Sequence, residues 1–147
     1  MDIVIEKMNQ SHLEKIKDIM NEQFDEFWTA SVLEKELQND LSSYIVALYN
    51  NDVVGYAGIW KPIDEAHITN IVVRKDERGQ HIGTKLLEEL LKMAQMQGLK
   101  CITLEVNVNN KNAISLYKKH NFEEVGRRRK YYNNTDDAII MTLKLPT

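Results

Sequence analysis

The sequence predicts a mixed α/β domain. Three observations point there. Apolar residues recur at helical spacing in several segments. Runs dense in β-branched and aromatic residues lie between those segments. In the centre of the chain helical and extended segments alternate, which is how crossover helices join strands. The chain has 147 residues, one domain's worth, with 43% hydrophobic and 28% charged residues, both ordinary for a globular protein.

Composition excludes several classes. The one cysteine, Cys101, leaves no internal disulfide and no four-cysteine zinc site, and it fits a reducing compartment. The histidines His12, His67 and His120 show no metal-ligand spacing, so no metal is expected. A net charge of −3 disfavours a chain-wide phosphate-binding surface, and no direct nucleic-acid binding is expected. The longest apolar run, 44–49, is strand-sized, far short of the ~20 residues of a membrane span. The start, Met1-Asp2-Ile3-Val4-Ile5-Glu6-Lys7, lacks the basic and apolar regions of a signal peptide. An intact, cytoplasmic chain without a membrane partner is the expectation. Nothing in the sequence fixes an oligomeric state.

The elements follow in order. Ile3, Ile5 and Met8 predict a first strand. Ser11 with Glu14 has the spacing of a capping box, and Leu13, Ile16, Ile19, Met20 and Phe24 continue at helical spacing. A second short helix starts after Thr29 or Ser31 and carries Val32, Leu33 and Leu37, with Asn39 and Asp40 ending it. The β-rich runs 44–49 and 53–60 are joined by Asn50-Asn51-Asp52, residues that tolerate a left-handed backbone and so predict a hairpin. Pro62 closes the second run, and 66–73 is a third, ending on Ile71-Val72-Val73. A long helix opens in the segment Arg78-Gly79-Gln80-His81-Ile82-Gly83-Thr84. It buries Ile82, Leu86, Leu87, Leu90, Leu91 and Ala94, and Gly98 stops it. Residues 101–106 form a strand. Asn109 or Asn110 caps a helix holding Ala113, Leu116, Tyr117 and His120, and Asn121 ends it. Two last strands, 122–132 and 138–145, are joined at Asn133-Asn134-Thr135-Asp136. The sum is about six to seven strands in one mixed central sheet, flanked by about four helices.

The turn from Val73 to Thr84 carries the clearest chemistry. A helix N-terminus offers free N–H groups and about half a positive charge, and glycines beside it let a diphosphate approach the backbone. Gly79, Gly83 and Arg78 suit that task as well as they suit an ordinary start of a helix. The chain has no G-x-x-x-x-G-K-[ST] and no G-x-G-x-x-G, so the common nucleotide loops are absent.

Arg78-x-x-x-x-Gly83 after Ile71-Val72-Val73 resembles the acyl-coenzyme-A-binding motif of the GNAT acetyltransferases, Gln/Arg-x-x-Gly-x-Gly/Ala. The resemblance continues through Leu104-Glu105-Val106, Asn110, Ala113-Ile114-x-Leu116-Tyr117 and Asn121-Phe122. It extends to Arg128-x-x-Tyr131-Tyr132 and Asp137-Ala138-Ile139-Ile140-Met141. Together these resemble the bacterial ribosomal-protein-alanine N-acetyltransferase subfamily (RimI-like). The similarity is good over 65–143 and weaker before residue 40.

The resemblance implies one GNAT domain over 1–147, with acetyl-coenzyme A as co-substrate. It implies cofactor binding by Ile71, Val72 and Val73, by Arg78, Gly79, Gln80, His81, Ile82, Gly83 and Thr84, and by Asn110 along the pantetheine arm. It implies Glu105 as general base and Tyr117 as general acid, with Trp28, Tyr131 and Tyr132 lining a groove for the N-terminal peptide of a protein, a ribosomal one. His81 departs from the motif, where the family has glycine. Placed in the first helical turn it would have negative φ, where a side chain is allowed.

The residues themselves leave room for other readings. Glu105 sits in Ile102-Thr103-Leu104-Glu105-Val106, the strand expected to be buried on both faces. Partial burial raises a carboxyl pKa toward the value a general base needs. A strand-end glutamate facing solvent fits the same letters. Tyr117 and Trp28 also read as core aromatics, Asn110 as a helix cap, and the run Arg127-Arg128-Arg129-Lys130 as a solvated strand face. The acidic residues Glu22, Asp25, Glu26, Asp64 and Glu65 would attract a cationic peptide or simply face water. Between amines, a free α-amine with pKa about 7.7–8.0 is neutral at pH 7 roughly 300 times more often than a lysine near 10.4. A site with one glutamate therefore favours N-terminal amines. Acetylation of a lysine, polyamine or small-molecule amine stays open, as does a non-catalytic coenzyme-A-binding module.

Overall fold

The computed structural model describes residues 2–18, 20, 24, 29–132 and 135–146, with the side chains of 130–132 left out. Strand β1 (Val4–Lys7) leads to helix α1 (Gln10–Ile16) and, further on, α2 (Ala30–Leu37). The strands β2 (Ser42–Tyr49), β3 (Asp52–Trp60) and β4 (Glu65–Val73) follow, then helix α3 (Ile82–Met96) and β5 (Cys101–Asn107). Helix α4 (Lys111–Lys119) and the hairpin β6 (Glu123–Tyr132) and β7 (Asp136–Lys144) complete the order. This is the expected sequence of elements: seven strands and four helices of more than one turn among the described residues.

One sheet holds all seven strands in the order β1-β2-β3-β4-β5-β7-β6. Every pairing is antiparallel except β4 with β5, the pair that α3 connects. The β2–β3 turn follows its sequence: Asn50 and Asn51 both take positive φ, 50° and 67°.

Each face of the sheet carries its own apolar cluster. On one, α3 lays Ile82, Leu86, Leu87, Leu90 and Ala94 against Ala47, Val54, Ala57, Ile59, Ile102 and Leu104. Full burial of each larger aliphatic side chain contributes about 1.5–3 kcal/mol. On the other, Leu13 and Ile16 of α1 and Leu33 of α2 meet Tyr44, Val46, Tyr56 and Val72. Strand β2 alternates between the two clusters, so its apolar run is continuous.

Three local expectations change. The capping box at α1 is built by Asn9 and His12, not by Ser11 and Glu14. Asn9 Oδ1 accepts from the His12 N–H at 3.1 Å, and His12 Nδ1 accepts from the Asn9 N–H at 3.0 Å. On α2, capped by Thr29, Leu33 is wholly buried while Val32 is exposed. Strand β5 is not buried on both faces: Ile102, Leu104 and Val106 are buried while Thr103, Glu105 and Asn107 are half-buried. Among the described residues, helices α1 and α2 cover the β2–β3 half of that second face, and Glu105 on the other half stays partly exposed.

Candidate active site

The turn before α3 is shaped by its ion pairs. Arg74, at the end of β4, holds Asp76 at 2.6 Å and Glu77 at 3.1 Å across the short 3-10 turn Lys75–Glu77. Gln80 donates to Glu77 Oε2 at 2.9 Å. These contacts hold both carboxylates on the β4 side of the turn. Helix α3 then starts with no side-chain cap and no acidic residue in its first turn, so its leading N–H groups and dipole stay available to an anion. At Gly79, φ is +82° and a Cβ would meet nothing within 4 Å, so this stretch of backbone is open to close approach. A Cβ at Gly83 would touch only Val73 Cγ2, at 3.7 Å. The residues present fit a diphosphate.

His81 stands elsewhere than expected. It is the N-cap of α3, not a first-turn residue, and its φ is +64°. The left-handed region costs a side-chain-bearing residue about 1–2 kcal/mol, partly offset by the extra chain entropy a glycine loses on folding, about 0.5–1 kcal/mol. The motif's glycine preference therefore has a backbone cause here. His81→Gly should raise Tm by about 2–4 °C, which is about 1 kcal/mol in a chain of this size. A fall in Tm on thermal unfolding would show that the imidazole makes compensating contacts. His81 and Thr84 also line a cavity of about 260 Å³, completed from α4 by Asn112, Ser115, Leu116, Lys119 and His120.

A second feature lies where the sheet turns parallel. Among the described residues, β4 and β5 pair only over Glu65↔Cys101, Ala66↔Ile102 and His67↔Thr103. Beyond that point β4 from Ile68 to Val73 pairs only with β3, and β5 from Leu104 to Asn107 only with β7. Among the described residues, the two strand edges beyond that point face one another with no strand pairing between them. Ile71, Val72 and Val73 stand on one edge and Glu105 on the other.

Glu105 keeps 28% of its side chain exposed, and its Oε1 lies 3.0 Å from Arg128 Nε. Tyr117 comes from the opposite face: it is buried in the α3–α4 cluster, with its ring 5.7 Å from that of Phe122. Asn110 caps α4, its Oδ1 accepting from the Ala113 N–H at 3.2 Å. The structure therefore gathers the turn, the open strand edges, Glu105 and the start of α4 around one end of the β4–β5 gap.

Other sequence expectations fall outside this centre. Trp28 lies outside the described residues, as do Glu22, Asp25 and Glu26. Tyr131 and Tyr132 belong to β6, their side chains outside the description. Asp64 pairs with Lys100 at 3.1 Å. Burial, followed by nearby Glu65 and Asp64, pushes the Cys101 thiol above its usual range, which argues against a nucleophilic role. No group of three or more His, Cys, Asp or Glu among the described residues could hold a metal ion, and no described helix is long and apolar enough to cross a membrane. Arg128 belongs to the Arg128-x-x-Tyr131-Tyr132 part of the resemblance but carries no role there and also reads as part of a solvated basic run; its contact with Glu105 is what the sequence did not show.

Residues 13–122 match the Acetyltransferase (GNAT) family, about three quarters of the chain. The chain belongs to this family. GNAT acetyltransferases use acetyl-coenzyme A, which fits the uncapped helix start. A relative in Bacillus subtilis (strain 168), provisionally named a ribosomal protein bS18-alanine N-acetyltransferase, is 32% identical over 139 residues, covering 93% of this chain and 92% of the relative. The ribosomal protein bS18-alanine N-acetyltransferase of Escherichia coli (strain K12) is 38% identical over 99 residues, 65% of this chain and 67% of that one. The crystal structure of the ribosomal-protein-S18-alanine N-acetyltransferase from Escherichia coli superposes with a TM-score of 0.90 at 28% identity, covering 99% of this chain and 96% of that one. This GNAT chain is therefore an acetyltransferase with the α/β fold of its relatives.

Proposed function

We propose that this acetyltransferase moves acetyl from acetyl-coenzyme A directly to the N-terminal α-amine of a protein, with alanine first and a ribosomal protein as substrate, in the cytoplasm. The observation that carries the reading is the Bacillus subtilis relative, aligned over 93% of this chain at 32% identity, and its name. The open face around Glu105 agrees with it.

In this reading the N–H groups of residues 82–84 hold the diphosphate, with Arg78, Gly79, Gln80 and His81 around it. The free edge at Ile71, Val72 and Val73 holds the pantetheine arm, with Asn110 across the gap. The co-substrate supplies a thioester, an acyl group activated for attack by an amine. Glu105 takes the proton of the incoming ammonium. Tyr117 gives its hydroxyl proton to the departing thiolate, a modest demand because a thiol of pKa about 8.5 leaves readily. Trp28, Tyr131 and Tyr132 line the peptide groove. A small first residue is favoured because forcing a large one into a packed site costs about 1–3 kcal/mol, roughly a 5- to 150-fold preference.

The test is coenzyme A release against peptides that differ only at their first residue, beside blocked peptides that carry lysine. Alanine-first peptides should turn over fastest, with serine close and bulky residues slower by at least about fivefold. Preference for blocked lysine peptides would assign the enzyme to side-chain amines. Binding of acetyl-coenzyme A without release on any amine would make it a coenzyme-A-binding module.

A further inference from the structure

The ion pair of Arg128 with Glu105 is not required by the chemistry above, which asks only for a base. The strand register explains how it arises. Glu105 stands opposite Ile140 on β7, which stands opposite Gly126 on β6. The next row on the same face is Asn107, Ala138 and Arg128. Ala138 is short and wholly buried, so the Arg128 side chain crosses that row over little more than a methyl group. Gly126 adds no side chain to the row it enters. The guanidinium arrives 3.0 Å from the carboxylate while the arginine side chain stays 58% exposed.

We propose that Arg128 is a positioning residue that biases the bound amine toward its neutral, nucleophilic form. This rests on the reading of Glu105 as the base. At pH 7 most α-amines arrive as ammonium. A lone carboxylate would bind that ammonium and hold it protonated, which favours binding and opposes attack. A guanidinium beside the carboxylate stays charged at every relevant pH. It competes for the same oxygens, and it disfavours a second cation close by. The ammonium proton then passes by way of Glu105 to water, and the carboxylate keeps its pairing with Arg128. The freed nitrogen lone pair attacks the acetyl carbonyl carbon, the C–S bond breaks, the thiolate takes the Tyr117 proton, and the second proton that the nitrogen sheds on becoming an amide restores the Tyr117 hydroxyl through water.

Among the described side chains, the surrounding charges do not duplicate this role. On β6, Arg127 stands opposite Ile139, on the other face, and pairs with Glu124 at 2.8 Å. Glu123 stands opposite Thr142, in the neighbouring row on the other side of Glu105 from Arg128, and it is an anion. On β7, Asp136 accepts from Asn107 Nδ2 at 3.0 Å and Asp137 follows it. Across the gap on β4, His67 faces Glu65 at 3.9 Å. Arg128 is the described cation in contact with Glu105.

The test is the pH dependence of kcat and KM with an alanine-first peptide for the wild type, Arg128→Gln, Arg128→Lys and Glu105→Gln. Arg128→Gln should move the acid limb of kcat up by about one pH unit. That is about a tenfold loss near pH 6.5, with convergence on the wild type above about pH 9. Peptide KM should stay level or fall, because the ammonium gains an uncontested carboxylate. Arg128→Lys, which keeps the charge, should hold the limb near its wild-type position. A kcat profile that drops in parallel at every pH, or a raised KM at constant kcat, would overturn the proposal in favour of a structural or peptide-binding arginine. Glu105→Gln at wild-type rate would remove the base and the proposal together. A slow Glu105→Gln with an unmoved Arg128→Gln limb would overturn the proposal alone and leave the base standing.

Discussion

Glu105→Gln lowers turnover by about 10²- to 10⁴-fold near neutral pH, the usual contribution of a positioned general base. Acetyl-coenzyme A binding should be nearly unchanged, because the uncapped start of α3 and the Gly79 turn lie on β4's side of the gap. The deficit should shrink as pH rises through about 8, where the α-amine deprotonates without help. Stability should barely move, since an ion pair with a partner as exposed as Arg128 contributes at most about 1 kcal/mol. Steady-state coenzyme A release across pH, with calorimetry of cofactor binding, checks all three statements. A rate within a few-fold of wild type at pH 7 would transfer the base role to water.

Gly58→Ala costs about 3 kcal/mol of stability or more. A Cβ at Gly58 would sit 2.3 Å from Tyr44 Cε2 and Cζ, closer than any real contact. The ring cannot slide away cheaply. Tyr44 is buried, its hydroxyl donates to Thr69 Oγ1 at 2.7 Å, and Thr69 Oγ1 donates to the Gly58 carbonyl at 3.1 Å. Moving the ring breaks that chain in a place where burial already holds the phenol well above its usual pKa. Overpacking of this kind costs about 1–3 kcal/mol and occasionally more. Tm should fall by about 6–12 °C. Combining Gly58→Ala with Tyr44→Ala should cost less than the sum of the two, since one clash accounts for much of the first loss. A Tm within about 2 °C of wild type for the single variant would mean that β3 shifts at its register irregularity between Gly58 and Ile59.

The order of elements was legible because its punctuation is chemical. Asn50-Asn51 spells a turn that needs positive φ, and Leu86, Leu87 and Leu90 repeat at the period of a helix. The capping box was misplaced because Ser11-x-x-Glu14 has the right spacing only two residues beyond Asn9, an N-cap of equal preference. The sign of φ at His81 could not be read, since nothing in the letters separates an N-cap from a first-turn residue. The β4–β5 opening was hidden too, because alternation within a strand says nothing about where its pairing ends.

Arg128 shows the limit most clearly. Three arginines stand in a row, and a shift of one residue turns each to the other face. The phase is set by the bulge between Glu124 and Gly126 opposite Met141 and Ile140, which leaves Val125 as the extra residue, 62% exposed. Without it Arg127 or Arg129 would face Glu105's side. Glu105 itself was legible as a site residue through its resemblance to the family. Its half-buried setting came from the structure, where the open half of one sheet face replaces the doubly buried strand expected.

One peptide that carries both a free N-terminal alanine and an internal lysine distinguishes the two amines in a single reaction. It is incubated with the enzyme and acetyl-coenzyme A, and the acetyl group is located by fragment-ion mass spectrometry. A single acetyl is expected on the alanine α-nitrogen, formed about 10²- to 10⁴-fold more slowly by Glu105→Gln at neutral pH. Acetyl found on the lysine side chain with the α-amine untouched would contradict that expectation.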